Sequence, residues 1–317
     1  MTYKNHWQKK ILILFTCLIL TAVGWVSPMT ATAWGGRGQL YVIGTGPAGP
    51  RMATLQALDT LKRMDVIVAP IKHANLFAEY VAGKSILFDP WTDIWDYKGK
   101  SMWNLDKTEL AAFEKERLKV REERVAKIKG LLTEGKDVGL MDHGNPCLYG
   151  PSHWYTEQFD PQEVTIIPGM GCDAAAMAAL GKSTIPAHDT RFIIQTSPFS
   201  MMEWGARDRQ VLKDLTKYPS TMIFYMALWN PEVLFCELKA HLPPDMPCAV
   251  VFWAGDPDRE RILRGTVADM AERLAKESEK FMGLVLVGRF LNGKPYDAAM
   301  EQSLKELKAS RHPVRSE

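Results

Sequence analysis

The chain has 317 residues, 46% of them hydrophobic and 24% charged, which suits two modest globular domains and rules out a disordered or collagen-like polymer. A formal net charge of +2, with no basic stripe interleaved with aromatics, gives no footing for a nucleic-acid-binding surface.

The N-terminal segment differs from everything after it. Lys4, Lys9 and Lys10 precede an apolar run over 11–26, and Ala31-Thr32-Ala33 sets small side chains where a signal peptidase reads them. The expectation is a signal peptide over 1–33, cleaved after Ala33, with an uncleaved anchor as the alternative and the chain's one route to a membrane. The basic flank puts the remainder outside the cytoplasm in either case, in a periplasm or extracellular space. Cys17 lies mid-run with no small residue before it, which does not suit lipid attachment. Cys147, Cys172, Cys236 and Cys248 remain. None forms a C-x-x-C pair and no histidines flank them at zinc spacing, so no metal site follows. A Cys236–Cys248 disulfide and buried free thiols both stay open.

From residue 39 onward, short β-branched runs alternate with helical stretches, the signature of βαβ units. Strands are predicted at 39–44, 65–69, 85–88, 137–141 and 163–167, with helices at 54–63, 74–82 and Lys107–Thr133. The last of these has an apolar side from Leu110, Phe113, Leu118, Val125, Ile128 and Leu132, and its dense charge is a solvated face. An alanine-rich helix at 173–180 and a polar connector through Asp189 lead to further strands at 192–196, 221–226, 248–253 and 284–287. Helices are predicted there at 202–215, 231–241 and 264–280. The reading is two α/β domains, 38–170 and 171–295, each with a mostly parallel sheet, facing each other across a cleft and followed by a charged tail at 296–317. Within 88–103, Trp91, Trp95, Tyr97 and Trp103 gather in one stretch. A flat substrate could stack there, but aromatic packing that pins a long loop is the favoured reading.

Tyr41-Val42-Ile43-Gly44-Thr45-Gly46-Pro47-Ala48-Gly49 satisfies G-x-G-x-x-G directly after a strand, as dinucleotide-binding turns do. Two features oppose that reading. The second strand ends Val68-Ala69-Pro70, with no carboxylate for a ribose, and Pro47 removes a backbone N–H from the turn.

The same residues fit a different pattern. Gly44-Thr45-Gly46-Pro47-Ala48-Gly49-Pro50 is similar to G-x-G-P-G-D, and Met64-Asp65-Val66-Ile67 to A-D-V-I. Gly144-Asn145-Pro146-Cys147-Leu148-Tyr149-Gly150 matches a G-D-P-x-x-Y-G loop, and Pro168-Gly169-Met170-Gly171-Cys172 a P-G-x-S-S turn. Thr221 to Met226 resembles T-x-V-x-Y-M, residues 247–269 a P-x-A-V…E-R…G-T-L-x-D block, and residues 283–288 a closing V-G strand. Taken in order, the blocks resemble the tetrapyrrole (corrin/porphyrin) methylases over most of residues 39–290.

The resemblance implies S-adenosylmethionine as cofactor, a tetrapyrrole-like or other small-molecule acceptor, and a homodimer. It places Pro47, Gly144, Asn145, Pro146, Leu148 and Tyr149 around the methionine and ribose portions, with Gly171 and Cys172 nearby. Met226 and Ala227 would contact the adenine, and Ala249, Gly265 and Thr266 would complete its pocket, although Met226 taken alone reads as a core methionine. Methyl transfer by in-line displacement needs alignment more than acid or base groups. If the acceptor must lose a proton, His143 and Asp142 are the candidates, with His73 and His153 behind them; His143 alone reads more simply as a loop residue. Three carboxylates of the pattern are replaced, by Gly49, Asn145 and the Ala69-Pro70 pair. An exported protein that keeps the fold and binds a ligand without methyl transfer is therefore the alternative.

Overall fold

The computed structural model describes residues 36–185, 190–198, 206–293 and 296–310. The signal segment, its cleavage site, most of the connector beyond Ile185, the start of the helix predicted at 202–215 and the last part of the tail lie outside the described residues.

The first sheet is wholly parallel, in the order β3-β2-β6-β1-β7, where β1 is Leu40–Gly44, β2 Val66–Val68, β3 Ser85–Ile86, β6 Val138–Asp142 and β7 Val164–Ile167. Parallel sheets are covered on both faces, so their strands are apolar throughout rather than alternating. β1 and β6 follow this rule. Val42 and Leu140 face one core with Leu132, Ile128 and Phe159, while Ile43 and Met141 face another with Leu61, Met64 and Phe77. The first cover is α3 (Lys107–Thr133), opened by a capping box of Asp106 and Glu109; the second includes α1 (Leu55–Arg63), capped by the Thr54 hydroxyl. The helix expected at 74–82 instead spans α2, Ile71–Leu76. Pro70 fixes the backbone immediately before it, and the chain then passes through turns to Gly83 at φ +74°.

The aromatic loop before α3 is pinned to this domain. Ile94 is buried, and Trp91 packs with Trp154 around Tyr155 of the short helix α4 (His153–Thr156). The Arg124 guanidinium donates to the Pro90 and Thr92 carbonyls, and a small hairpin pairs β4 (Asp96–Tyr97) with β5 (Lys100–Ser101).

The second sheet has the order β11-β10-β12-β9-β8, with β8 Phe192–Thr196, β9 Ser220–Phe224, β10 Pro247–Phe252, β11 Arg261–Thr266 and β12 Gly283–Val287. Only β8 and β9 pair in parallel; β9–β12, β12–β10 and β10–β11 are antiparallel. The mostly parallel sheet expected for this half is thus corrected to a mixed, mainly antiparallel one. The short link from Trp253 to Glu260 cannot hold a crossover helix, so β11 folds straight back on β10. For the same reason the helix expected at 264–280 shrinks to Met270–Ala275, because its first residues are spent in β11. The alanine-rich helix α5 (Cys172–Leu180) belongs to this second core, where Ala175, Ala176 and Leu180 pack with Ile223, Ala249 and Leu286. No helix among the described residues is long and apolar enough to cross a membrane.

Candidate active site

The ends of β1, β6 and β7 meet through glycines. A Cβ on Gly44 would lie 2.5 Å from the Gly169 nitrogen and 2.6 Å from Pro146 Cδ, and one on Gly169 would lie 2.0 Å from the Gly144 carbonyl oxygen. Three loops therefore interlock backbone against backbone, and the Gly144 N–H donates to the Gly46 carbonyl at 3.1 Å. This is what the G-x-G-x-x-G turn does here. Gly144 itself, at φ +69°, has nothing closer than 3.8 Å to where a Cβ would stand, and its open side lines a cavity of about 660 Å³. Backbone without side chains at such a point is what lets a ligand approach closely.

Both domains wall the cavity. From the first come Pro47, Asp142, His143, Asn145, Leu148 and Tyr149, together with Trp91 and Trp95; from the start of α5 come Gly171 and Cys172. The second sheet contributes Tyr225 and Met226 beyond β9, Trp253 and Ala254 beyond β10, and Gly283 and Leu284 at the start of β12. These strand ends share one edge because β9 and β10 both run antiparallel to β12. Tyr149, Met226 and Trp253 hold positive φ values of 56°, 55° and 50°, so three lining residues without glycine's freedom occupy left-handed backbone. Such strain concentrates at functional sites.

The polar floor is a connected group. The Thr45 hydroxyl donates to the Asp142 carbonyl at 2.7 Å and sits 2.9 Å from His73 Nε2; the hydroxyl proton being used, His73 must donate from Nε2. Its Nδ1 is then a bare acceptor, buried and unpartnered. The His143 ring stacks on His73 at 4.0 Å between centroids and 17° between planes, and opens on the cavity. Burial, with His143 adding to it, pushes the His73 pKa down to about 3, and desolvation lowers that of His143 as well. Both imidazoles are neutral at neutral pH. Burial raises the Asp142 carboxyl above its ordinary range, while the Ser152 N–H donates to it at 3.4 Å. Burial likewise pushes the Cys172 thiol up to about 11, which leaves it a neutral wall group and no nucleophile. The Tyr225 hydroxyl is buried without a hydrogen-bond partner, its pKa raised by desolvation and by Asp173.

The structure thus gathers Pro47, Asp142, His143, Gly144, Asn145, Leu148, Tyr149, Gly171, Cys172 and Met226 around one cavity, and leaves five other expected residues off its wall. Pro146 packs behind Gly44, and Ala227 is wholly buried in the second core. Ala249 lies inside the sheet opposite Arg264 and Leu286. Gly265 and Thr266 pair with Cys248 and Pro247, at the far end of β10. At about 3.3 Å per residue, a strand of this length separates the two edges by roughly 15–20 Å. Ala249, Gly265 and Thr266 are therefore not among the residues that line the cavity. Asn145 spends its side-chain oxygen on the Cys147 N–H at 3.0 Å, closing its own loop. The sequence reading missed Trp229, Trp253 and Phe281, which complete the wall. A tryptophan directly after an apolar strand was the available signal for Trp253. No group of three metal-ligating side chains occurs among the described residues.

Known proteins share this fold. The chain is 26% identical over 261 residues to the cobalt-precorrin-4 C(11)-methyltransferase of Methanocaldococcus jannaschii, covering 81% of this chain and 90% of that one. It is 23% identical to the same organism's uroporphyrinogen-III C-methyltransferase, covering 80% and 97%. Among solved structures, a cobalt precorrin-4 methyltransferase superimposes with a TM-score of 0.62 at 23% identity, covering 80% of this chain and 96% of that one. A Thermus thermophilus uroporphyrin-III C-methyl transferase complexed with S-adenosyl homocysteine gives 0.53 at 18% identity, covering 80% and 99%. The family described as Tetrapyrrole (Corrin/Porphyrin) Methylases matches residues 39–271, and the chain belongs to it.

Proposed function

We propose that this protein is an S-adenosylmethionine-dependent methyltransferase acting on a tetrapyrrole-like or other small acceptor in the cavity between its two sheets. The observation that carries the reading is the bare Gly144 edge, set by three interlocked glycine loops against the strained Met226 and Trp253 of the other domain. The residues fit the cofactor. Gly144 and Gly171 leave room along one wall, Leu148 and Met226 supply apolar contact, and the unpartnered Tyr225 hydroxyl offers a buried hydrogen bond. The cofactor supplies an electrophilic methyl group. The chain's part is to align the reactants and keep water out, tasks suited to backbone and apolar walls. His143, neutral and open to the cavity, can accept a proton from the acceptor.

Calorimetry of the purified chain with S-adenosylmethionine and S-adenosylhomocysteine tests this. Heat from both, lost in Gly144→Val, is expected; no heat from either would sink the enzyme reading. That result would favour the second reading, an exported ligand-binding protein, for which the replaced carboxylates at Gly49, Asn145 and Ala69 argue.

Export is likewise proposed, from the basic, apolar and small-residue pattern of residues 4–33. A reporter active only outside the cytoplasm, fused after Gly36, should work; a silent fusion would refute it. A homodimer is proposed from family membership, and a monomeric mass in sedimentation would count against it.

A further inference from the structure

The main cavity has a smaller neighbour. Trp91, Trp95 and Pro151 line both spaces, and Arg117, Trp154 and Glu157 help to close a side pocket of about 230 Å³. Pockets for whole drug-sized ligands run from roughly 300 to 1,000 Å³. The main cavity, at about 660 Å³, falls inside that range and the side pocket below it. The side pocket therefore suits one substituent of a molecule seated next door.

It also holds an uncommitted cation. Among the described residues the main wall carries no lysine or arginine, and the guanidinium groups around it differ in what they hold. Arg259 lies on the Trp253 ring, and its Nε and Nη2 both donate to Asp256. Arg124 donates to the Pro90 and Thr92 carbonyls. Arg117 makes no hydrogen bond or ion pair with any described residue, and its Nε is buried. Its contacts are two aromatic rings, Phe113 and Trp154, each 5.5 Å from the guanidinium carbon. Arg121, one turn further along α3, lies over the same Trp154 ring at 4.8 Å, and its Nε too is buried without a partner. Burial lowers the Arg117 pKa, with Glu114 opposing the shift and Arg121 adding to it. Glu114 and Glu157 are both exposed, and neither pairs with Arg117.

Like charges at this helical spacing repel, and buried N–H groups without acceptors are rare in native proteins. Stacking on two rings offsets part of that cost and fixes the planar fork, whose geometry matches the two oxygens of a carboxylate.

We propose that the side pocket is a carboxylate subsite, in which Arg117 pairs with one acidic substituent of an acceptor seated in the main cavity. This rests on reading the main cavity as the acceptor site. The body of the acceptor lies against Trp91 and Trp95, the rings common to both spaces, and the pairing sets which edge of it points away from the His143 and Gly144 side. Arg117 is a specificity-determining residue, and Arg121 supports it from the other contact on Trp154.

The experiment compares coproporphyrin I with its tetramethyl ester, which share one ring system and differ in charge. Each is titrated into the full chain in the same dilute non-ionic detergent and followed by quenching of tryptophan fluorescence. The free acid is expected to bind about tenfold more tightly than the ester, the scale of one charged hydrogen-bonded pair. Arg117→Gln should remove that advantage and leave the ester within about twofold of its wild-type affinity. Arg117→Lys, which keeps the charge and loses the fork, should fall between the two. Glu157→Lys alters only an exposed side chain of the side pocket, so it tests the site even where an Arg117 variant does not fold; it should strengthen the acid several-fold and not the ester. Equal binding of acid and ester, a loss in Arg117→Gln shared by both, an acid affinity indifferent to Glu157→Lys, or binding of neither probe would overturn the proposal. Calorimetry with S-adenosylmethionine on the same sample keeps the two readings apart. Cofactor heat without porphyrin binding refutes the carboxylate subsite alone, and Arg117-dependent porphyrin binding without cofactor heat refutes methyl transfer alone.

Discussion

The pair of stacked imidazoles gives the site its sharpest residue-level consequence. His73 is only 4% exposed and its donor is fixed on Thr45, so a proton on Nδ1 would sit buried with no partner. The folded pKa of about 3 lies below the ordinary value of 6.5, so between those values the unfolded chain binds a proton that the folded one refuses. Stability therefore falls as pH drops through that window. Asp142, whose folded pKa is raised, works in the opposite sense, so the readout is a difference between proteins. Urea midpoints at a series of pH values should fall less steeply from pH 6.5 downward in His73→Leu than in the wild type; parallel curves would mean His73 does not titrate as the structure requires. Gly144 supplies a second test. Its φ of +69° makes valine strained there, at a cost of about 1–2 kcal/mol, and the side chain would enter the cavity. Gly144→Val should stay folded in a thermal melt and lose cofactor heat in calorimetry.

At the scale of elements, the glycine loops carry stability and α3 carries a boundary. Gly44→Ala drives a methyl into the Gly169 backbone and Pro146, where nothing flexible can yield, and should cost about 1–3 kcal/mol by urea unfolding. Asp106 accepts from the backbone N–H groups of Thr108 and Glu109 at 2.8 Å each, so Asp106→Ala should cost about 1 kcal/mol while leaving the cavity untouched. These elements were legible. The helix ranges 54–63 and 107–133, the apolar stripe of α3 and the short β-branched strand runs are local patterns written in adjacent residues. β11 was not legible, because its second half, from Arg264, looks like the charged start of a helix until β10 is there to pair with it. Its partner, not its own propensity, makes it a strand.

For the whole molecule, the cavity joins two domains, and a ligand held by both stabilises the folded state by mass action. S-adenosylhomocysteine at about a hundredfold excess over its Kd should add about 2.7 kcal/mol, seen as a raised Tm. A Tm indifferent to saturating ligand would place the binding site elsewhere or nowhere on the folded chain.

The sequence alone determined the two-domain α/β organisation, the glycine loops and the ordered blocks of the family, because each is carried by neighbouring residues or by their order along the chain. The tertiary structure decided the direction of the second sheet's strands, and with it that Gly265 and Thr266 stand an edge away from Trp253. It also decided that Trp91 and Trp253, far apart in sequence, share a wall with no lysine or arginine among its described residues. Strand direction depends on a partner brought from elsewhere in the chain, and the charge of a cavity on which side chains meet through space. Neither is a property of any local run of residues.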